Sequence, residues 1–405
     1  MVPEGWKQAS LASICLDKIS YGVVQTGEHV PNGVPCLRVA DLPNGRTSEM
    51  VKTSETISNS YKRTILKNGD IVLALRGDIG LACLVKSDWV GINITRGVAR
   101  LSPDDSQVLS DFLLWELRSP RLKGELLRRA GGSALQEISI GELRDITVLI
   151  PPLPEQEKIA AVLSTWDKAI ALTEQLLDKS RQQKKALMQQ LIGKAEGHKE
   201  GKNAINAKRI VDIADRIQRK SDGGEHPVLT ISSLSGFVRQ DEKYSRFMAG
   251  KSVENYILLN HGEFAYNKGN SKTYEFGCIF DLSSFETGLV PHVYICFKLK
   301  PGLSHRYFKY LFEADYLKPQ LGQLVNTGVR NNGLLNIKPS EFMNTKVPVP
   351  SLEEQERIAD ILHVASEQII ALEKRLACLR QEKKALMQQL LTGKRRVKVD
   401  EPEVT

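Results

Sequence analysis

Two stretches of this chain place apolar residues at alternating intervals of four and three. In the later one, Ile358, Leu362, Ala365, Ile369, Leu372, Leu376, Leu379, Lys383, Leu386 and Leu390 keep that rhythm without a break. In the earlier one, Ile159, Leu163, Trp166, Ile170, Leu177, Leu187 and Leu191 occupy the same seam, with Thr173, Ser180 and Lys184 as its weaker positions. Held over about four heptads, this period predicts coiled-coil helices. The starts are marked by Pro154, by Glu155 and Glu157 in the first turn, and by a Ser351-x-x-Glu354 capping-box pattern. Gly193 and Gly393 stand where the helices should stop. A helix of roughly 38 residues is about 57 Å long and here apolar along one line only. That predicts two helices pairing with each other, antiparallel, as a rigid spacer; two surface helices packed on separate domains is the alternative. Lys184 and Lys383 share one seam position, where a polar residue fixes register or else lays down a snorkelling stem.

The two stretches are copies. KKALMQQL stands at Lys184–Leu191 and again at Lys383–Leu390, and residues 155–191 align without a gap onto 354–390, identical at about half of the positions. A repeat this long is no solenoid and implies a duplicated domain plus helix.

Before each helix lies a stretch of short β-type runs and small amphipathic helices. ILKNGDIVLALRGDIGLACLV (65–85) resembles LLNHGEFAYNKGNSKTYEFGCI (258–279): a Gly-acid pair, a strand, then a basic-Gly-Asx turn, Arg76-Gly77-Asp78 or Lys268-Gly269-Asn270. Short helices follow, with Phe112, Leu113 and Trp115 beside Tyr307, Phe308 and Tyr310, then glycine-rich loops and Pro-rich approaches to the long helices. The expected fold class is α+β: a globular domain over 1–150, a long helix over 151–194, a linker over 195–204, a second domain over 205–347, a second long helix over 348–394 and a frayed, flexible tail over 395–405.

At 405 residues, 41% hydrophobic and 26% charged, the composition is that of a globular protein with more than one core. No stretch suits a membrane span, and the start has no secretory character. Six cysteines are scattered singly, as expected of reduced thiols in a cytoplasm. The net charge of +8 hints at nucleic acid, but the positive residues do not form a tail, so any basic surface must be made by folding. Signals of catalysis are missing: no phosphate loop, no Asn/Asp-Pro-Pro-aromatic run, no metal-ligand spacing among seven histidines.

The domain–helix order, the Pro-x-x-x-Glu-Gln-x-x-Ile approach and the closing KKALMQQL resemble the specificity subunit of type I restriction-modification systems, over essentially the whole chain. The resemblance implies two target-recognition domains, each reading one half of a split double-stranded DNA site. It also implies paired helices that set the gap and hold two modification (methyltransferase) subunits, with restriction (endonuclease/translocase) subunits joining them. S-adenosylmethionine, ATP and Mg are then expected on those partners, with no cofactor, metal or catalytic residue in this chain. Half-sites should lie about one helical turn, ~34 Å, apart, and the divergent domains imply an asymmetric site. A coiled-coil adaptor whose globular ends bind proteins is the competing reading; a stand-alone methyltransferase or nuclease is a weaker third.

If DNA is the partner, base readout needs Arg or Lys for guanine, Asn or Gln for adenine, and adaptable hydroxyls. The first domain offers Arg76, Asp78, Asn93, Arg96, Ser133 and Gln136. The second offers Asn267, Lys268, Asn270, Ser271, Lys272 and Tyr274 from its turn, and Arg330, Asn331 and Asn332 from its glycine-rich loop. Ordinary turns are the competing explanation for each group.

Overall fold

The computed structural model describes residues 2–132, 136–193, 206–243, 250–269, 271–325 and 335–398. It contains two compact units. The first comprises 1–174 together with 374–405, and the second comprises 175–373. Each unit therefore holds one globular domain, the start of the helix that follows it, and the end of the other long helix.

In the first unit, the strand Lys7–Ser10 pairs antiparallel with Thr147–Ile150, so the domain begins and ends on one ribbon. Between them, Ile71–Ala74 is the middle strand of a three-stranded sheet, flanked by Ala82–Leu84 and Val98–Leu101. All four of its residues are buried, as a run of Ile-Val-Leu-Ala in a middle strand should be. A second three-stranded sheet has Val34–Leu37 between Val51–Thr53 and Asn93–Ile94. The helices Ser110–Leu117 and Pro120–Arg129 cover the core, the latter capped by Ser119, whose hydroxyl accepts from the Leu122 amide.

In the second unit, Asn206–Arg209 pairs with Lys346–Val349 as the corresponding ribbon. The main sheet has four strands, ordered Ala214–Ile217, Ile295–Leu299, Phe264–Asn267 and Cys278–Asp281. Its core is aromatic: Phe264 stacks on Phe297, Tyr266 stacks on Phe342, and Phe312 meets Phe264 edge-on.

The long helices are Leu153–Gly193 and Leu352–Leu390, of 41 and 39 residues. They pair antiparallel. In the first unit Asp167 pairs with Lys383 and Glu174 with Arg380, so numbers rise along one helix as they fall along the other; in the second, Arg181 meets Glu373 at 2.7 Å. Every predicted seam position is buried or half-buried, from Ile159, Leu163, Leu177, Ile358, Leu362, Leu376, Leu379 and Leu390 (all buried) to Trp166, Ile170, Leu187, Leu191, Ile369, Leu372 and Leu386 (half-buried). Thr173 and Ser180 are buried as well, Thr173 returning its hydroxyl to the Ala169 carbonyl.

The repeated Glu-Gln has a structural task in both copies. Gln156 is fully buried; its Oε1 accepts from the Leu109 amide, and its Nε2 donates to the carbonyls of Gln107 and Pro151. Gln355 does the same for the Ser304 amide and the Pro350 carbonyl. Each glutamine thus ties its long helix to the loop that opens a short helix of the domain. The seam lysines reach aromatic rings on those same short helices. Lys383 ion-pairs with Asp167 and lies 4.7 Å from the Trp115 ring; Lys184 ion-pairs with Glu313 and lies 5.3 Å from the Tyr310 ring.

Two expectations need correction. Ser351 caps the second helix, its hydroxyl accepting from the Glu354 amide, but the Glu354 carboxylate turns to Arg357 instead of closing a capping box. The segment past Gly393 is docked up to residue 398, not frayed. Arg396 makes a two-pronged ion pair with the buried Glu155 and donates to the Glu4 carbonyl, and Trp6 Nε1 donates to the same carboxylate. A buried carboxylate demands such partners, and a solvated tail would leave this one short of them.

Candidate nucleic-acid interface

In the first domain the middle strand Ile71–Ala74 runs out through Leu75 into the Arg76-Gly77-Asp78 turn, with Gly77 and Gly80 in the left-handed region (φ +71° and +84°) that a side chain disfavours. Asp78 accepts from Lys123 at 3.0 Å, which anchors the turn to the helix Pro120–Arg129. Arg76 faces a cleft of about 500 Å³ whose walls include Arg38, Arg76 and Arg96 over a floor of Val23, Val39 and Val51. Three arginines from three separate segments of the chain therefore line one cleft.

Each is held differently. Arg38 makes a fork with Asp41, Nε to Oδ2 at 3.0 Å and Nη2 to Oδ1 at 2.9 Å, which raises its proton affinity further and fixes its plane. Arg96 lies 6.0 Å from the Tyr21 ring and 4.0 Å from Glu137, and half of its side chain is exposed. Arg76 is half-buried against Gly97: a β-carbon there would stand 2.7 Å from Arg76 Nε and 3.1 Å from Val39. Among the described residues its guanidinium has no hydrogen-bond or ion-pair partner. A half-buried cation without an acceptor has lost part of its hydration and is poised to accept an anionic or carbonyl ligand.

Glu137 sits against this group. Its backbone is the antiparallel bridge partner of Arg76 and also pairs with Gly131. Its Oε1 is buried, with no hydrogen-bond partner among the described residues.

The other sequence candidates in this domain divide. Asn93 is a core amide, not a surface reader. It is fully buried; its Oδ1 accepts from Thr64 Oγ1 and the Ile94 amide, and its Nδ2 donates to the Ser58 carbonyl and hydroxyl. Gln136 is exposed next to Glu137, and Ser133 lies outside the described residues.

The described residues of the second domain's turn are placed differently. Asn267 Oδ1 accepts from the Gly269 amide, and Ser271 Oγ accepts from the Tyr274 amide, so both hold the turn in shape. Lys268 Nζ donates inward to the Ile337 carbonyl. Tyr274 is buried too deeply to present its ring to a ligand; its hydroxyl donates to the Glu313 carbonyl, and burial pushes its phenol up to about 12. Lys272 is exposed, while Asn270, Arg330, Asn331 and Asn332 lie outside the described residues.

The cause is a one-residue slip between the two basic-Gly-Asx turns. Asp70 accepts from the Lys67 amide as Glu263 does from the Asn260 amide, and Arg100 and Arg219 are their respective cationic partners. From that equivalence, Lys268 corresponds to Leu75: the Leu75 carbonyl accepts from Ile138 and the Lys268 carbonyl from Leu335. Arg76 then corresponds to Gly269. Along a strand one residue reverses the face, so the lysine points in where the arginine points out.

Sequence reasoning missed Arg38, Tyr21 and Glu137. No local signal marked them, because Arg38 reaches the cleft, and Tyr21 and Glu137 reach Arg96, only through contacts between distant segments. Among the described residues there is no His/Cys/Asp/Glu group fit to hold a metal, and no helix long and apolar enough to cross a membrane.

Comparison with known proteins gives a uniform result. The family model for the type I restriction modification DNA specificity domain matches twice, at residues 3–179 and 207–378. The EcoBI type I restriction enzyme specificity subunit of Escherichia coli is 31% identical over 163 residues, a match covering 39% of this chain and 34% of that relative. The MjaVIII specificity subunit of Methanocaldococcus jannaschii is 26% identical over 98% of this chain and 94% of its own. Among solved structures, the HsdS subunit of Thermoanaerobacter tengcongensis shares the fold at a TM-score of 0.51 and 15% identity, covering 97% of this chain and 98% of that one. A chain from a study of complex assembly and conformational transition of the type I R-M system does so at 0.58 and 15%, covering 96% and 98%.

Proposed function

Because the chain belongs to the type I restriction-modification DNA specificity family, matched by both of its halves, we propose that it is the non-catalytic DNA reader of such a complex. Each domain reads one half of a split double-stranded site. The observation that carries this reading is the cleft of the first domain, which Arg38, Arg76 and Arg96 line and where Arg76 lacks an acceptor among the described residues. Phosphate oxygens and guanine edges are the ligands that such groups fit.

The difference between the two reading heads supports an asymmetric site. Arg76 has a glycine as its counterpart in the second domain, so the two domains cannot present the same side chains to DNA. The antiparallel helices, tied to the domains through Gln156, Gln355, Lys184 and Lys383, set the gap between half-sites and scaffold two modification subunits, with restriction subunits joining the same assembly. S-adenosylmethionine, ATP and Mg belong on those partners, which act with this chain in the cytoplasm.

The test is a genome-wide map of methylated adenines in cells with and without this gene, the modification partner being expressed in both. Loss of one split, asymmetric motif is expected. An unchanged map would overturn the reading and favour a protein adaptor.

A further inference from the structure

Resting on that reading, we propose that Arg76 and Glu137 together read one G·C base pair in the half-site of the first domain, Arg76 donating to the guanine N7 and O6 and Glu137 accepting from the cytosine N4 amino group. The argument begins with the bridge between them. Antiparallel bridge partners carry their side chains on the same face with α-carbons about 4.5–5.5 Å apart. A two-donor fork and a carboxylate are thereby set on neighbouring backbone segments, Arg76 lining the cleft and Glu137 its bridge partner. The major-groove edge of a G·C pair presents the complementary row, two acceptors on guanine and then a donor on cytosine, which no other base pair offers in that order.

Both groups are unfulfilled without a ligand. Among the described residues the Arg76 guanidinium has no partner, and Glu137 Oε1 is buried without a hydrogen bond. They do not satisfy each other, although they are bridge partners. Arg96 approaches Glu137 only to 4.0 Å, longer than a hydrogen bond. Gly97 leaves room for the Arg76 side chain, whose Nε would stand 2.7 Å from a β-carbon there. Arg38, whose fork already holds Asp41, is by contrast committed and suits a phosphate.

The experiment uses the full-length chain expressed with its modification subunit, and reads the methylation motif produced by wild type, Arg76→Gln, Glu137→Ala and Glu137→Gln. The wild-type motif should contain a G·C pair in one half at which the Arg76 and Glu137 variants all lose discrimination by about tenfold to a hundredfold. The other half and the gap should stay unchanged, and Arg76→Gln should shift that same position toward A·T. Arg76 and Glu137 variants that relax different positions would overturn the proposal. So would an unaltered motif, or uniformly weakened methylation from a chain whose tryptophan fluorescence is native, since that marks a phosphate contact or a structural role. If Arg76→Gln does not fold, the two Glu137 variants decide by the same criterion. A wild-type chain that leaves no motif at all would instead refute the broader DNA-reading function.

Discussion

Replacing Gln156 by alanine removes three hydrogen bonds at once. The Leu109 amide donates to its Oε1 at 2.8 Å, and its Nε2 donates to the Gln107 and Pro151 carbonyls, each at 2.9 Å. The side chain is fully buried, so alanine leaves one N–H and two C=O groups facing a small void. A net hydrogen bond is worth about 1 kcal/mol, and a buried group left unpaired costs about 1–3 kcal/mol, less where water can follow. We expect a loss of about 3–4 kcal/mol in the stability of the first unit. Gln355→Ala removes two such bonds, at 2.9 and 2.8 Å, and should cost the second unit about 2–3 kcal/mol. The chain supplies its own reporter: its four tryptophans are Trp6, Trp89, Trp115 and Trp166, all in the first unit. In urea titrations followed by tryptophan fluorescence, Gln156→Ala should move the transition well to lower urea, while Gln355→Ala should act mainly on the far-UV circular dichroism. A loss below about 1 kcal/mol for Gln156→Ala would refute the reasoning. An equal effect of Gln355→Ala on the tryptophan signal would refute its local character.

Other consequences can be measured on the same material. Lys383→Met keeps the apolar stem but removes the ion pair to Asp167 and the charge over the Trp115 ring; because Asp167 is partly exposed, a loss of about 1–2 kcal/mol is expected, with a shift in tryptophan emission. Unchanged stability and emission would mean that the charge only snorkels. Asp315, held by burial at a pKa of about 6, binds its proton more tightly in the folded than in the unfolded chain. Its contribution is therefore fully present below the unfolded carboxylate range and is lost as pH rises through about 6. Asp315→Asn, which tolerates the φ of 55° at this position, should match wild type near pH 4 and exceed it near pH 7 in urea midpoints read by circular dichroism. A variant that falls below wild type near pH 7 would contradict this. Asn93→Ala should destabilise the first unit by about 2–4 kcal/mol and leave the methylation motif unchanged; a motif altered at one position would return Asn93 to the DNA-reading set.

The sequence by itself determined the long helices, their pairing seam and the duplication. A helical period is a local property, written every three or four residues, so Ile159 or Leu376 can be assigned to the seam from their neighbours alone. The α+β character and the domain-to-helix order were legible for the same reason, from short runs and Pro-rich approaches. The buried tasks of Gln156 and Gln355 were signalled only as a repeated letter, because their partners are backbone groups dozens of residues away.

Tertiary structure alone decided the reading head. Arg38, Arg76 and Arg96 lie on three separated segments that only folding brings to one cleft, and a backbone bridge sets Glu137 beside Arg76. The sequence pattern equated Arg76 with Lys268, whereas the backbone equates Lys268 with Leu75. In a helix a one-residue error turns a side chain by about 100°, from 3.6 residues per turn. In a strand it reverses the face, and that reversal separates an arginine open to a ligand from a lysine spent on its own fold.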